Sequence, residues 1–210
     1  MRYKTTTTPR AAKLPRTKPA EVRLDELMSA AEELFLANGV EATTINEIVE
    51  RAEVAKGTFY HYFSSKNDML VALGERYTGE FLERLQNAVD ACPPDDWQKR
   101  LRTWIEVSVE AYAQTYRTHD IVYTNHHHHD RSNRPKNAIL DQLLAIIEGG
   151  RAARIWAVDQ PRVVALVIYS GVHGATDDII AAKAKDCAPF ARQVADACLR
   201  MLPAPKKGAK

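Results

Sequence analysis

Apolar residues recur along this chain at three- and four-residue intervals, the spacing of one face of an α-helix. The first such stripe is Leu24, Leu27, Met28, Ala31, Leu34 and Phe35, and Asn38-Gly39 supplies a stop signal behind it. Pro19 stands ahead of it, where a first helical turn tolerates proline. Ile45, Ile48, Val49 and Ala52 make a second, shorter face. Thr43 or Thr44 caps it, with Glu47 three residues beyond Thr44 as in a capping box. A third short helix is expected from about Lys56 to Phe63. Three helices in quick succession, the last two only a few residues apart, describe a helix-turn-helix unit.

The same period continues behind this unit. A helix capped by Ser65 carries Met69, Leu70, Leu73, Tyr77, Phe81, Leu85 and Val89, and Pro93-Pro94 ends it. The next is expected from about Asp95 to Tyr116, with Trp97, Leu101, Trp104, Ile105 and Tyr112 on its apolar side. Residues 119–135 show no clear period. Pro135 opens a helix bearing Ile139, Leu140, Leu143, Leu144 and Ile147, which fades at Gly149-Gly150. Pro161 opens another, apolar nearly all round from Val163 to Val172 and so expected to be buried on most sides. Phe190, Val194, Cys198, Leu199 and Leu202 mark the last, closed by Pro203. No strand alternation and no repeat appears, so the chain reads as all-α.

Composition narrows the class. The 210 residues suit one or two domains, and 45% hydrophobic with 27% charged residues excludes a wholly disordered chain. The longest apolar run, Val163 to Tyr169, is far short of the roughly 18 residues of a membrane span, so no membrane partner is expected. Cys92, Cys187 and Cys198 include no CxxC, so neither a disulfide framework nor a zinc ribbon is indicated, and a reducing, cytoplasmic setting follows. The N-terminus lacks the apolar core of a secretory signal; its Arg- and Thr-rich, acid-free character also fits a transit peptide. Charge is unevenly spread. Arg2, Lys4, Arg10, Lys13, Arg16 and Lys18 precede residue 20, and Lys206, Lys207 and Lys210 follow Pro203, with no acid in either segment. Against a net charge of +2, residues 20–202 therefore carry −7. Basic ends on an acidic body read as arms seeking a polyanion or as solvated tails.

Residues 39–70 read GVEATTINEIVERAEVAKGTFYHYFSSKNDML. A block such as FYHYF is an aromatic core stripe when it stands alone. Five consecutive aromatic-type residues cannot all be buried on one helix, however, and here they follow a capped short helix. The segment resembles the DNA-binding part of the TetR (tetracycline repressor) family. The aromatic block, Lys66 after it and the Thr43-Thr44 entry carry the likeness. It implies an N-terminal three-helix helix-turn-helix domain over 20–68, between a basic flexible arm (1–19) and a helical ligand-binding and dimerisation domain (69–202), with a basic tail (203–210). A helix entering the major groove reads base edges with its leading residues. Lys56 offers a cation, Gly57 lets backbone approach, and Thr58 reaches a phosphate or a thymine methyl. By the resemblance Tyr60 and Tyr62 contact backbone or bases, with His61 alongside. Thr44 and Lys66 can clamp phosphates. Phe59 and Phe63, four apart, should face the core. Two positions depart from the family: Glu53 stands where glycine is usual, at a turn that often needs positive φ, and Ala55 stands where a Ser or Thr cap is usual. Residues 20–68 also hold ten acids against four bases, so phosphate affinity must come from a few placed cations and the N-terminal arm.

Residues 126–130 read HHHHD. On a helix His126, His129 and Asp130 share a face, and His173 and Asp177 sit four apart further on. Together they are candidate metal ligands. Arg131, Arg134 and Lys136 follow directly and disfavour a cation, so the cluster could equally hold an anionic group of an organic effector or form a polar helix end. Trp104, Tyr112, Tyr123, Tyr169 and His173 are candidate effector contacts, because aromatics with one polar tip suit a mostly apolar pocket. There is no P-loop, GxSxG, HExxH or GxGxxG, and no cofactor or enzymatic activity is expected. The whole reads as a ligand-responsive repressor that binds a palindromic DNA operator as a homodimer and is released by a small-molecule effector; the alternative is a metal-binding sensor or metal-dependent enzyme using the His126–Asp130 cluster. The effector is expected to be apolar or aromatic with a polar or anionic group, and the last two helices to form the dimer surface.

Overall fold

The computed structural model describes residues 19–123 and 134–205. Among them are eight helices and no strand. They are α1 (Ala20–Asn38), α2 (Ile45–Arg51), α3 (Lys56–Tyr62), α4 (Lys66–Asp90), α5 (Trp97–Tyr123), α6 (Arg134–Ala152), α7 (Pro161–Ala181) and α8 (Ala188–Arg200). The chain divides into two compact units, Met1–Lys66 and Asn67–Lys210.

In the first unit α1 packs on α2 and α2 on α3. Leu27, Ala31, Phe35, Ile48 and Phe59 are completely buried. The capping box forms: Thr44 Oγ1 accepts from the Glu47 N–H at 3.2 Å, and the Thr44 N–H donates to Glu47 Oε2 at 2.7 Å. Thr43 is buried, and its hydroxyl reaches back to Gly39 O at 2.8 Å. The turn from α2 to α3 closes on Glu53, whose φ is +53°. The Glu53 N–H donates to Glu50 O and the Val54 N–H to Val49 O, the two bonds of a Schellman stop. Arg154 and Lys183, the other non-glycine residues at positive φ, end α6 and α7 through the same pair of bonds. Ala55 precedes α3 and gives no side-chain cap.

In the second unit α5 packs against α6, α7 and α8. Leu85, Leu101, Trp104, Ile105, Leu143, Ile147, Ile168 and Ala195 form its core. Three sequence expectations change here. α5 does not stop near Tyr116 but continues to Tyr123, because Tyr112, Val122 and Tyr123 hold its last turns inside the unit. α6 does not fade at Gly149-Gly150. A Cβ at Gly149 would strike the Trp97 ring and one at Gly150 the Trp156 ring, so these glycines admit two indoles to the helix surface. α7 is not buried on most sides. Ala165, Ile168, Val172, Thr176 and Ile179 face inward, while Val163 and Val167 are 51% and 49% exposed. α7 is also long and apolar enough to cross a bilayer by length and composition, which the seven-residue run did not suggest. Its inward face lies in the core of this unit.

Two stability changes follow. Left-handed φ costs a residue with a Cβ about 1 kcal/mol, and the freedom of glycine in the unfolded chain returns part of that. Glu53→Gly should therefore raise unfolding stability by a few tenths to about 1 kcal/mol, read as a higher urea midpoint. Gly150→Ala should lower it by about 1–3 kcal/mol, since the buried Trp156 has no room to retreat.

Candidate functional site

In the first unit, α3 is asymmetric. Phe59 is fully buried and its ring lies 5.7 Å from that of Phe63. Neighbouring residues on a helix point about 100° apart, so burying Phe59 turns Tyr60 outward, where it is 53% exposed. Lys56, Gly57 and His61 are exposed with it, and Thr58 is half-buried. A Cβ at Gly57 would meet nothing within 4 Å.

Three of the sequence-based contact residues are engaged within the unit. Lys66 is not a free phosphate clamp. Its ammonium donates to the carbonyls of Val40, Glu41 and Thr43 at 2.5, 3.3 and 2.9 Å. An ammonium has three protons, and these bonds use all three. Tyr62 is half-buried, and its hydroxyl donates to Ala20 O at 2.9 Å, tying the end of α3 to the start of α1. Thr44 is exposed, but its hydroxyl donates to Glu47 Oε2 at 2.8 Å. The Thr44 backbone and hydroxyl bonds hold the Glu47 carboxyl below its ordinary pKa. Lys56, Gly57, Thr58, Tyr60 and His61 remain as the outward surface of α3.

In the second unit four helices surround a cavity of about 200 Å³. α4 contributes Tyr77, Thr78 and Phe81, and α5 contributes Trp104, Ser108, Tyr112, His119 and Tyr123. Lys136 and Ile139 come from α6, and Tyr169, Val172, His173 and Thr176 from α7. Trp104, Tyr112, Tyr123, Tyr169 and His173, singled out in the sequence, all lie in this wall. Tyr77, Phe81 and His119 were missed. Continuing the α5 face from Ser108 and Tyr112 by seven and then four residues would have reached His119 and Tyr123.

Most polar atoms in the wall already have partners. Tyr112 donates to Asp177 Oδ1 at 2.7 Å, and Tyr77 Oη lies 3.1 Å from Thr115 Oγ1. Tyr123 hydrogen-bonds to Thr78 and donates to Gly74 O at 3.1 Å. Ser108 and Thr176 donate back to the carbonyls of Trp104 and Val172. Trp104 Nε1 donates to Gln142 Oε1 at 2.9 Å, and the Gln142 amide donates onward to Leu82 O and Gln86 Oε1. Burial pushes the Tyr77 phenol up to about 12 and raises Tyr112, Tyr123 and Tyr169 as well, so these hydroxyls stay protonated near neutrality. The rings of His119 and His173 both sit 4.7 Å from Tyr112 and 5.4 Å from each other. Burial lowers the pKa of His119, against the opposing pull of Asp120.

Of the candidate metal ligands, only His173 and Asp177 fall among the described residues. His126, His129 and Asp130 lie outside the described residues. His173 Nδ1 and Asp177 Oδ2 lie 3.2 Å apart and bond to each other. No group of three His, Cys, Asp or Glu side chains placed to hold a metal occurs among the described residues.

Comparison with known proteins agrees with this architecture. A family model described as bacterial regulatory proteins, tetR family, matches residues 27–73. The transcriptional regulator QacR of Staphylococcus aureus is 23% identical over 163 residues, which is 71% of this chain and 82% of QacR. Other curated relatives match over about a third to a half of their own length. Among solved structures, the regulator FadR from Bacillus subtilis in complex with stearoyl-CoA superposes with a TM-score of 0.69 at 20% identity, covering 83% of this chain and 96% of that one. The SmeT–triclosan complex also gives 0.69, at 18% identity, covering 88% and 93%. With a helix-turn-helix in the matched segment and an all-helical second unit behind it, the chain is similar to the tetR family of bacterial regulatory proteins, whose model it matches over residues 27–73.

Proposed function

We propose that this chain is a cytoplasmic repressor that holds a two-fold symmetric DNA site as a homodimer and releases it when a small organic molecule enters the cavity. The observation that carries the DNA half is the exposure of Tyr60 beside Lys56, Gly57 and Thr58, on a helix anchored from behind by Phe59. Side chains so placed can enter a major groove without disturbing the core. Lys56 supplies a cation, and Tyr60 supplies a hydroxyl with an apolar ring.

One seven-residue helix reads few base pairs, and two-fold symmetry supplies a second about 34 Å away. The outward face of α7 supports such pairing. Val163, Val167, Gly171 and Gly174 line it, and a Cβ at either glycine would meet nothing within 4 Å. Met201, just past α8, is 54% exposed. An apolar face with small residues lets a second copy of the helix approach closely.

The cavity supports the effector half. FadR and SmeT are each solved with an organic molecule, stearoyl-CoA and triclosan respectively. α4 brings Tyr77, Thr78 and Phe81 to the cavity, and its first residue is Lys66, which grips the α1–α2 loop. A ligand that bears on Tyr77 or Phe81 thus acts on the helix that begins in the first unit. If it favours one position of α4 and DNA another, binding of the two is coupled.

Two experiments test this. An operator is first selected from a random DNA pool with the purified chain, where an inverted repeat is expected. Tyr60→Ala should weaken binding to that operator about tenfold to a hundredfold by fluorescence anisotropy, while the urea midpoint stays unchanged. Equal affinity would remove α3 from the interface. Val167→Glu should place a charge on the pairing face and give a monomer in sedimentation velocity. A monomeric wild-type chain would overturn the dimer.

A further inference from the structure

We infer that the cavity takes a one- or two-ring aromatic molecule carrying an uncharged hydrogen-bond donor, a phenol-type hydroxyl, whose proton is received by Nε2 of His119. The inference rests on the reading of this cavity as the effector site and names the chemistry it selects.

Few polar atoms of the wall remain open to a ligand. The hydroxyls of Tyr77, Thr78, Ser108, Tyr112, Tyr123 and Thr176 and the indole N–H of Trp104 are engaged within the protein. Their rings and methyl groups supply shape and apolar contact. His119 differs. Its Nδ1 lies 3.2 Å from Asp120 Oδ1. A carboxylate can only accept, so Nδ1 carries the proton of the neutral ring and Nε2 keeps its lone pair. Nε2 has no hydrogen bond among the described residues. His173 repeats the arrangement, with Nδ1 at 3.2 Å from Asp177 Oδ2.

The imidazole of His119 is 23% exposed and lies 4.7 Å from the ring of Tyr112, 5.1 Å from Tyr123 and 6.0 Å from Tyr77. Burial favours its neutral form. A neutral acceptor among aromatic rings selects a flat molecule with a proton to give. It does not select an anion. A carboxylate brought to Nε2 would meet a lone pair, with the carboxylates of Asp120 and Asp177 behind the two imidazoles. The cation in the wall, Lys136, lies 5.7 Å from the centroid of Tyr169, on the α6–α7 side of the cavity. Size points the same way. About 200 Å³ is below the ~300–1,000 Å³ of drug-sized sites, so one or two fused rings fit where a long acyl chain would not.

Four probes of one ring system separate the alternatives by calorimetry on the full-length protein at neutral pH: 2-naphthol, 2-methoxynaphthalene, 2-naphthoate and 2-naphthylmethylammonium. The expected result is that 2-naphthol binds tightest, about tenfold or more above 2-methoxynaphthalene, the step expected of one buried hydrogen bond. His119→Phe should erase that preference by weakening 2-naphthol alone. Nitrogen NMR of labelled histidine gives a readout without substitution, since the His119 Nε2 resonance should move when 2-naphthol is added. Tightest binding of the naphthoate or the ammonium, equal binding of naphthol and its methyl ether, an unmoved Nε2, or binding of none of the four overturns the inference. The effector reading is scored separately, by whether bound 2-naphthol lowers affinity for the selected operator. Binding without that effect would keep the ligand chemistry and discard the regulatory role.

Discussion

The burial of one phenylalanine sets the orientation of the surface on which the first unit's function depends. α3 has seven residues, well below the roughly 12–15 at which an isolated helix becomes even marginal in water. It persists because Phe59 and Phe63 are driven into the core. Full burial of such a side chain is worth about 1.5–3 kcal/mol, more than the ~1 kcal/mol net of a typical hydrogen bond. The core therefore supplies the stability, and the surrounding polar bonds supply direction. Lys66 grips the α1–α2 loop, Tyr62 ties α3 to α1, and the Schellman stop at Glu53 fixes the angle at which α3 leaves α2. With Phe59 fixed from behind, the outward bearing of Tyr60 follows from helix geometry alone.

The second unit sets a different balance between packing and emptiness. A cavity forfeits contacts that a filled core would keep, and here it is bounded by large, stiff rings that cannot collapse into it. Their polar tips are bound to the protein: Tyr112 to Asp177, Tyr123 to Gly74, Trp104 through Gln142 to α4. Such a wall is rigid before any ligand arrives, which lowers the ordering cost of binding. It also concentrates selectivity in the few atoms left over, chiefly the imidazoles.

How much of this could be read from the sequence depended on the distance over which each feature is determined. The apolar faces of α1 and α2 and the capping box of Thr44 and Glu47 are local, and periodicity found them. The positive φ at Glu53 was expected only through the resemblance, which has glycine at that turn; nothing in the local sequence around a glutamate signals it. The environments of Lys66 and Tyr62 were not legible either. Their partners lie 23 to 26 and 42 residues away, and nothing nearby in sequence shows that their donors are already used. Gly149-Gly150 misled for the same reason. Glycine usually ends a helix, but here two tryptophans from other segments need the space. His119 was lost when α5 was ended too early. The sequence did not divide α7 between core and dimer surface, because an apolar face looks the same in sequence whether it meets its own chain or a second copy.

That ambiguity bears on how such a chain would hold DNA. The segment over residues 20–68 has ten acids against four bases, and one of those bases, Lys66, is spent internally. Apart from the six bases of residues 1–19, a segment so charged gains little from releasing counterions, so a single copy would bind duplex weakly. Joining two copies makes the second contact intramolecular, at an effective concentration far above that of free protein. Weak half-sites then become a tight whole that is also selective, because both must match at once. The apolar face of α7 and the tyrosine face of α3 would thus be linked energetically, although they lie in different units of the chain. A ligand need not block α3 to release the duplex. It need only favour a spacing at which the two copies of α3 can no longer be satisfied together.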